Sequence, residues 1–119
     1  MRLLRIDHVQ LTMPAGGEDS ARAYYRDLLG LTEEPKPPVM AARGGCWFRA
    51  GEVALHLGAE AGFRPARKAH PGVVVDDLDA LAAHLTAHGR ELRWSDEVPG
   101  VRRFHTDDPF GNRLEFIAG

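Results

Sequence analysis

One order of secondary-structure elements is predicted twice along the chain, and this repeat limits the possible folds more than any other feature. In the first half, residues 5–13 alternate apolar and polar side chains, which predicts a strand. Residues 21–29 carry apolar side chains at helical spacing, and residues 46–50 and 53–58 predict two strands across a tight turn. Prolines within residues 35–38 limit any strand there to a short or edge strand.

The second half predicts the same order of strand, helix and three strands. A linker rich in small, basic and turn-forming residues spans residues 59–69. After it, elements are predicted at residues 70–75, 78–88, 91–94, 101–106 and 112–117. The 119 residues are therefore expected to form one domain of two modules, about residues 1–60 and about residues 68–119.

The composition indicates a folded protein without a nucleic-acid or membrane partner. The chain is 44% hydrophobic and 27% charged, with a net charge of −2, so no basic field attracts polyanions. No apolar run approaches the roughly 20 residues that span a bilayer, and the N-terminus lacks the apolar core of a signal peptide. The single cysteine, Cys46, is read as structural and fits a reducing compartment. We expect a soluble cytoplasmic protein.

Four possible metal ligands, His8, His56, His70 and Glu115, occupy matched places in the repeat. His8 and His70 lie in the first predicted strand of each half, and His56 and Glu115 lie in the last. Each falls on the face of its strand opposite to the apolar side chains, because strand residues alternate faces. A lone histidine on a strand is usually a surface or core residue, but four candidates at matched positions favour a metal site. Imidazole and carboxylate ligands suit divalent Fe, Mn, Ni, Co or Zn rather than Ca.

Further polar and aromatic side chains share these predicted strand faces and are candidates for substrate binding. An arginine there would suit an anionic substrate, and a tryptophan a flat or apolar one. The main candidates are Gln10, Trp47, Arg103 and His105.

Three stretches of the chain carry a resemblance to a known family. They are residues 6–11 (IDHVQL), 23–31 (AYYRDLLGL) and 108–116 (DPFGNRLEF). With the repeat, the chain resembles the vicinal-oxygen-chelate superfamily, which includes glyoxalase, bleomycin-resistance proteins and extradiol dioxygenases. The resemblance implies an α+β fold in which two paired βαβββ modules form a curved mixed sheet around a concave cup. It also implies a homodimer with cups at the subunit interface.

The resemblance also implies roles for the four candidate ligands. His8, His70 and Glu115 match the His, His and Glu ligands of the dioxygenases and of the metal-dependent fosfomycin-resistance transferases. His56 stands where glyoxalase-type lyases carry a glutamate, so it is either a fourth ligand or an acid–base residue. His56 and Glu115 are the candidate catalytic residues.

Two functions remain open from the sequence. The first is a metal-dependent lyase, isomerase or dioxygenase acting on a small substrate with vicinal oxygens. The second is a non-enzymatic protein that binds a drug or metabolite, as bleomycin-resistance proteins do.

Overall fold

A computed structural model describes all residues, 1–119, and divides them into two compact units, 1–64 and 65–119. Each unit contains a four-stranded mixed sheet with helical segments, so the predicted α+β class is confirmed. In each unit the first strand pairs in parallel with the last, and the remaining pairs are antiparallel. A parallel pair requires a long crossover connection, which the intervening helix and strands supply. None of the helices has the length and apolar character needed to cross a membrane.

The first unit follows the predicted element order, with one short helix added. Its elements are β1 (Val9–Met13), α1 (Glu18–Ala21), a π-helical segment (Arg22–Leu28), β2 (Thr32–Glu34), α2 (Pro38–Ala41), β3 (Cys46–Ala50) and β4 (Val53–Ala59). The strand order is β1-β4-β3-β2, so β2 is the short edge strand that the prolines after it allow. Helix α2 was not predicted from the sequence.

The core of the first unit lies between its sheet and the π-helical segment. Tyr24 and Tyr25 are buried, and the ring of Tyr25 stacks on Phe48 of β3 at 5.5 Å. Phe48 and Trp47 are consecutive in β3, so their side chains point to opposite faces of the sheet. Cys46 is also buried, and burial raises the pKa of its thiol to about 11, which agrees with a structural role.

The second unit repeats the order without the extra helix. Its elements are β5 (Gly72–Val75), α3 (Leu78–Ala87), β6 (Arg93–Ser95), β7 (Arg103–Asp107) and β8 (Arg113–Ala118). The strand order is β5-β8-β7-β6, the same as in the first unit. Asp77 caps α3, because its carboxylate accepts the backbone N–H of Ala80 at 2.9 Å. Phe104 of β7 and Leu85 of α3 are fully buried in the core.

The strands predicted at residues 5–13 and 70–75 begin at Val9 and Gly72, so His8 and His70 precede β1 and β5 rather than lying in them. The first pair between β1 and β4 joins Val9 to Leu55, and the residues before Val9 belong to no strand. His70 is followed by Pro71, which has no backbone N–H to donate to a ladder. Both histidines therefore sit at the entry to a strand.

The turn between β7 and β8 is held by the buried carboxylate of Asp108. Its Oδ1 accepts the backbone N–H groups of Phe110 at 2.9 Å and Asn112 at 2.8 Å, and its Oδ2 accepts Nδ2 of Asn112 at 2.9 Å. Because this turn sets the pairing of the two strands, it also places Glu115 on β8.

Replacing Asp108 with alanine is expected to lower the free energy of unfolding by about 3 kcal/mol, since buried N–H donors lose their acceptor. Urea denaturation measures the change, and Asp96→Ala, which removes an exposed carboxylate from the same unit, is the matched control. A loss no larger than that of Asp96→Ala would contradict this role for the turn.

Candidate metal and ligand sites

Three side chains of the second unit, His70, His105 and Glu115, form a cluster with the composition of a metal site. One ligand atom from each lies within 4.8 Å of the others. Oε1 of Glu115 is 2.9 Å from Nε2 of His70 and 3.5 Å from Nε2 of His105. The cluster, called the triad below, offers two imidazoles and one carboxylate.

The strand pairing explains why these three side chains meet. His105 on β7 and Glu115 on β8 are direct cross-strand partners, so their side chains lie on one face of the sheet. His70 enters the same region from the segment before β5, where the carbonyl of Pro71 accepts the backbone N–H of Glu115 at 3.0 Å. The rings of His70 and His105 meet edge to face with centroids 5.1 Å apart.

The hydrogen bond between His70 and the backbone of Lys68 determines which ring nitrogen of His70 carries a hydrogen. Nδ1 of His70 lies 2.7 Å from the carbonyl oxygen of Lys68, which can only accept, so Nδ1 carries a hydrogen. In a neutral ring Nε2 then holds a lone pair, directed at the Glu115 carboxylate 2.9 Å away. A metal ion between these two acceptors would be held by both. A backbone carbonyl on the second nitrogen is also the usual support of a metal-bound histidine.

The charge state of Glu115 suits a ligand. Burial by itself would raise the pKa of its carboxyl group, but the contacts with His70 and Arg103 outweigh burial and hold the pKa below its ordinary value. NH1 of Arg103 donates to Oε2 of Glu115 at 3.1 Å, and its NH2 donates to the hydroxyl of Ser95 at 3.2 Å. Oε2 is thus engaged by the guanidinium, while Oε1 faces the two imidazoles.

The triad fits a first-row divalent metal ion. Burial lowers the pKa of His105 by more than the nearby Glu115 carboxylate raises it. The imidazole of His105 is therefore neutral at pH 7 and able to bind a metal ion. The nitrogen–oxygen separations of 2.9 and 3.5 Å match two ligands of one metal, because bonds of about 2.1 Å at right or tetrahedral angles set ligand atoms about 3.0–3.4 Å apart. Two histidines and one carboxylate with open positions are also the ligand set of non-haem iron oxygenases.

Three aromatic rings of the first unit stack in a row across its sheet. The ring of His56 on β4 lies 4.2 Å from that of His8 and 4.3 Å from that of Trp47 on β3, with interplanar angles of 14° and 9°. We call this row the ring column. Burial lowers the pKa of His56, and the neighbouring His8 lowers it further, so the central ring is neutral at pH 7.

The outer histidine of the ring column is held by a carboxylate. Oδ2 of Asp7 lies 3.0 Å from Nδ1 of His8, and this contact lowers the pKa of Asp7, which stays charged. The imidazole lone pairs lie in the ring planes, so stacking sets those of His8 and His56 side by side rather than converging on one point. Beside the column lies a cavity of about 510 Å³. Its wall includes Gln10 and Trp47, two of the predicted substrate-binding residues.

The structure thus brings the predicted residues together in two groups. His70 and Glu115 meet in the second unit, and His8 and His56 meet in the first. Sequence reasoning assigned His105 and Arg103 to substrate and did not foresee that both contact Glu115. It also missed Asp7 and Ser95. The only signal in the sequence was that His105 and Arg103 are two residues apart in a predicted strand, which places their side chains on the same face.

Comparisons with known proteins agree with the fold and with the family resemblance. Residues 5–116 match the family described as Glyoxalase/Bleomycin resistance protein/Dioxygenase superfamily. No curated protein matches the chain. A solved structure assigned to the glyoxalase family, from Bacillus anthracis, shares 42% identity with a TM-score of 0.96, covering 100% of this chain and 98% of that one.

More distant solved structures share the fold alone. A lactoylglutathione lyase from Agrobacterium tumefaciens is 23% identical, with a TM-score of 0.76 and coverage of 99% of this chain and 96% of that one. TnmS3, an antibiotic binding protein from Streptomyces sp. CB03234, is 20% identical, with a TM-score of 0.75 and coverage of 99% and 98%. The fold and the family match together identify the class, and the chain belongs to the Glyoxalase/Bleomycin resistance protein/Dioxygenase superfamily.

Proposed function

We propose that this protein is a metal-dependent enzyme that acts on a small substrate with vicinal oxygens. The observation that carries the proposal is the triad, in which two imidazole nitrogens face one carboxylate oxygen. A divalent Fe, Mn, Ni, Co or Zn ion held there would polarise a substrate carbonyl or stabilise an enolate. Glu115 supplies the negative ligand, and His70 and His105 supply neutral ones.

Arg103 supports an anionic substrate at this site. Its guanidinium is largely buried and already bridges Glu115 and Ser95, and its Nε is buried without a hydrogen-bond partner. The positive charge of this guanidinium beside the triad favours a substrate with an anionic oxygen.

Metal analysis tests the proposal. Protein stripped with EDTA and dialysed against Fe²⁺, Mn²⁺, Co²⁺, Ni²⁺ or Zn²⁺ is expected to bind one equivalent per chain. We expect His105→Ala to reduce binding at least about 10-fold, since one ligand is lost. His84→Ala, which removes an exposed histidine of α3, is the matched control and should bind as the wild type does.

The same experiment examines the two histidines of the first unit that the sequence predicted as ligands. If His8→Ala or His56→Ala weakens metal binding as much as His70→Ala, the site includes a first-unit histidine, as the resemblance implies. If only His70→Ala and His105→Ala weaken it, the triad alone holds the ion. Absence of stoichiometric metal under every condition would contradict the proposal.

The second candidate function is non-enzymatic binding of a drug or metabolite, which the cavity beside the ring column favours. The two functions differ in their need for metal. An enzyme should convert an α-keto-thiohemiacetal or a catechol when metal-loaded and lose that activity in EDTA. A binder would retain ligand affinity in EDTA and convert neither substrate.

We propose that the protein is a homodimer, as the resemblance implies. Three apolar side chains near the N-terminus are exposed: Leu3 by 99%, Leu4 by 84% and Ile6 by 77%. An exposed apolar cluster of this kind is typical of an interaction surface. Light scattering at micromolar concentration is expected to give twice the chain mass of 13.1 kDa, and Ile6→Glu should shift the protein toward monomer. A monomeric wild type would contradict the dimer.

A further inference from the structure

A row of polar contacts crosses three strands of the second unit and ends on Glu115. Ser95 of β6 and Arg103 of β7 are direct cross-strand partners, so their side chains lie on the same face of the sheet. Glu115 of β8 pairs with His105, two residues beyond Arg103 on β7, so it lies diagonal to Arg103. All of these side chains therefore share the face of the sheet that carries the triad.

The contacts of Arg103 hold its guanidinium at one oxygen of the Glu115 carboxylate. NH1 donates to Oε2 of Glu115 at 3.1 Å, and NH2 donates to the hydroxyl of Ser95 at 3.2 Å. The side chains of Arg103 and Glu115 are only 18% and 11% exposed, so water competes little for the hydrogen bond between them. The other carboxylate oxygen, Oε1, lies 2.9 Å from Nε2 of His70 and 3.5 Å from Nε2 of His105.

The two oxygens of Glu115 thus have different partners, although a carboxylate can bind a metal ion through either one oxygen or both. We propose that Arg103 is a positioning residue that restricts Glu115 to one ligand oxygen, Oε1. This role rests on the proposed function, because it concerns the ion that the triad would hold. Ligation through Oε2 as well would bring the ion closer to the positive guanidinium, and like charges repel strongly at a buried site.

A single ligand oxygen on Glu115 leaves more of the metal ion open to a substrate. The triad then supplies one ligand atom from each of its three residues, so an ion that takes about six ligands keeps about three positions for others. Two neighbouring positions suit a substrate that chelates through vicinal oxygens. If both oxygens of Glu115 were bound, a chelating ligand would have to displace one of them. Arg103 is therefore expected to favour chelating ligands over ligands that bind through one atom.

Two anions of equal charge test this role in the Co²⁺-loaded protein. Acetohydroxamate chelates through two oxygens, azide binds through one nitrogen, and the visible absorption of Co²⁺ reports both. Loss of a positive charge should weaken the two anions alike, so the ratio of their affinities isolates the effect on coordination. We expect Arg103→Met to lower the ratio of acetohydroxamate affinity to azide affinity at least about 10-fold, as for loss of a residue that supports a metal ligand.

The neighbouring arginine provides the matched control. Arg102→Met removes a guanidinium that pairs with Asp79, away from the triad, and should keep the affinity ratio within about 3-fold of the wild type. Circular dichroism establishes that each variant is folded. An unchanged ratio in folded, Co²⁺-loaded Arg103→Met protein would overturn this role of Arg103 and leave the metal site in place. A wild type that binds no Co²⁺ would instead contradict the proposed function itself.

The wild-type protein offers a second test, which does not depend on the folding of a variant. A crystal structure of the Co²⁺-loaded protein is expected to show Oε1 of Glu115 bonded to the ion and Oε2 still accepting from Arg103. A structure in which both oxygens of Glu115 are bonded to the ion would overturn the positioning role.

Discussion

Replacing Glu115 with glutamine is expected to weaken the binding of Co²⁺ or Zn²⁺ by at least about 100-fold. Loss of a residue that only supports a metal ligand costs up to about 100-fold in affinity, and here a ligand itself is changed. Glutamine is nearly the same size but removes the negative charge that faces His70 and His105. The amide would also turn either an oxygen or an NH₂ group toward the ion, and only the oxygen can ligate. Isothermal titration calorimetry on stripped protein measures the change.

The variant must be separated from a folding defect. Glu115 is mostly buried and accepts from Arg103, so the substitution leaves a buried guanidinium without its carboxylate. We expect Glu115→Gln to lose about 2 kcal/mol of stability, a loss that thermal unfolding in EDTA would measure. Glu91→Gln, which removes an exposed carboxylate from the same unit, is the matched control and should keep both stability and affinity. Metal affinity in a folded Glu115→Gln protein within about 3-fold of the wild type would mean that the triad is not the site.

The two-module fold was predictable from the sequence because its signals are local. Alternating side chains, helical spacing and turn residues act over a few positions, and the chain presents them in the same order twice. Helix α3 illustrates this, since a helix was predicted over residues 78–88 and the observed one spans Leu78–Ala87. Helix α2 is a single turn beginning at Pro38, too short to produce a periodic signal.

The membership of the triad was not predictable, because it depends on strand register. The strands predicted at residues 101–106 and 112–117 leave a turn at residues 107–111, centred on residue 109. That turn would place Arg113 opposite His105. The observed pairs, Asp107 with Arg113 and His105 with Glu115, are centred on residue 110. A shift of the turn by one residue moves every cross-strand partner by two, which exchanges an arginine for the carboxylate beside His105.

The ring column was hidden for the same reason. Parity placed His8, His56 and Trp47 on polar strand faces, but their stacking requires the pairing of Trp47 with His56 across β3 and β4. It also requires β1 to lie beside β4 rather than next to β2, its neighbour in sequence. Such non-local pairings follow from how the whole sheet packs on its helical segment, not from any short stretch of residues.

Replacing Gly45 with alanine is expected to destabilise the protein severely, by about 4 kcal/mol. Gly45 has a φ of +91°, where a side chain is strained, and a Cβ atom there would lie 2.2 Å from the carbonyl oxygen of Leu57. That oxygen belongs to the backbone of β4, so relief of the clash must move a strand rather than a side chain. The N–H of Gly45 also donates to Glu18 at 3.1 Å, which ties this turn to α1.

A substitution at Gly51 distinguishes the cost of backbone strain from the cost of the steric clash at Gly45. Gly51 has a φ of +57°, but a Cβ atom there would meet nothing within 4 Å. Gly51→Ala should therefore cost only the strain of a left-handed residue, about 1 kcal/mol. Urea denaturation should give a loss for Gly45→Ala several times larger. Because Gly45 precedes β3, its displacement should also disturb the stacking of Trp47 on His56. Equal losses of unfolding free energy for the two variants would contradict the close approach of Gly45 to the backbone of β4.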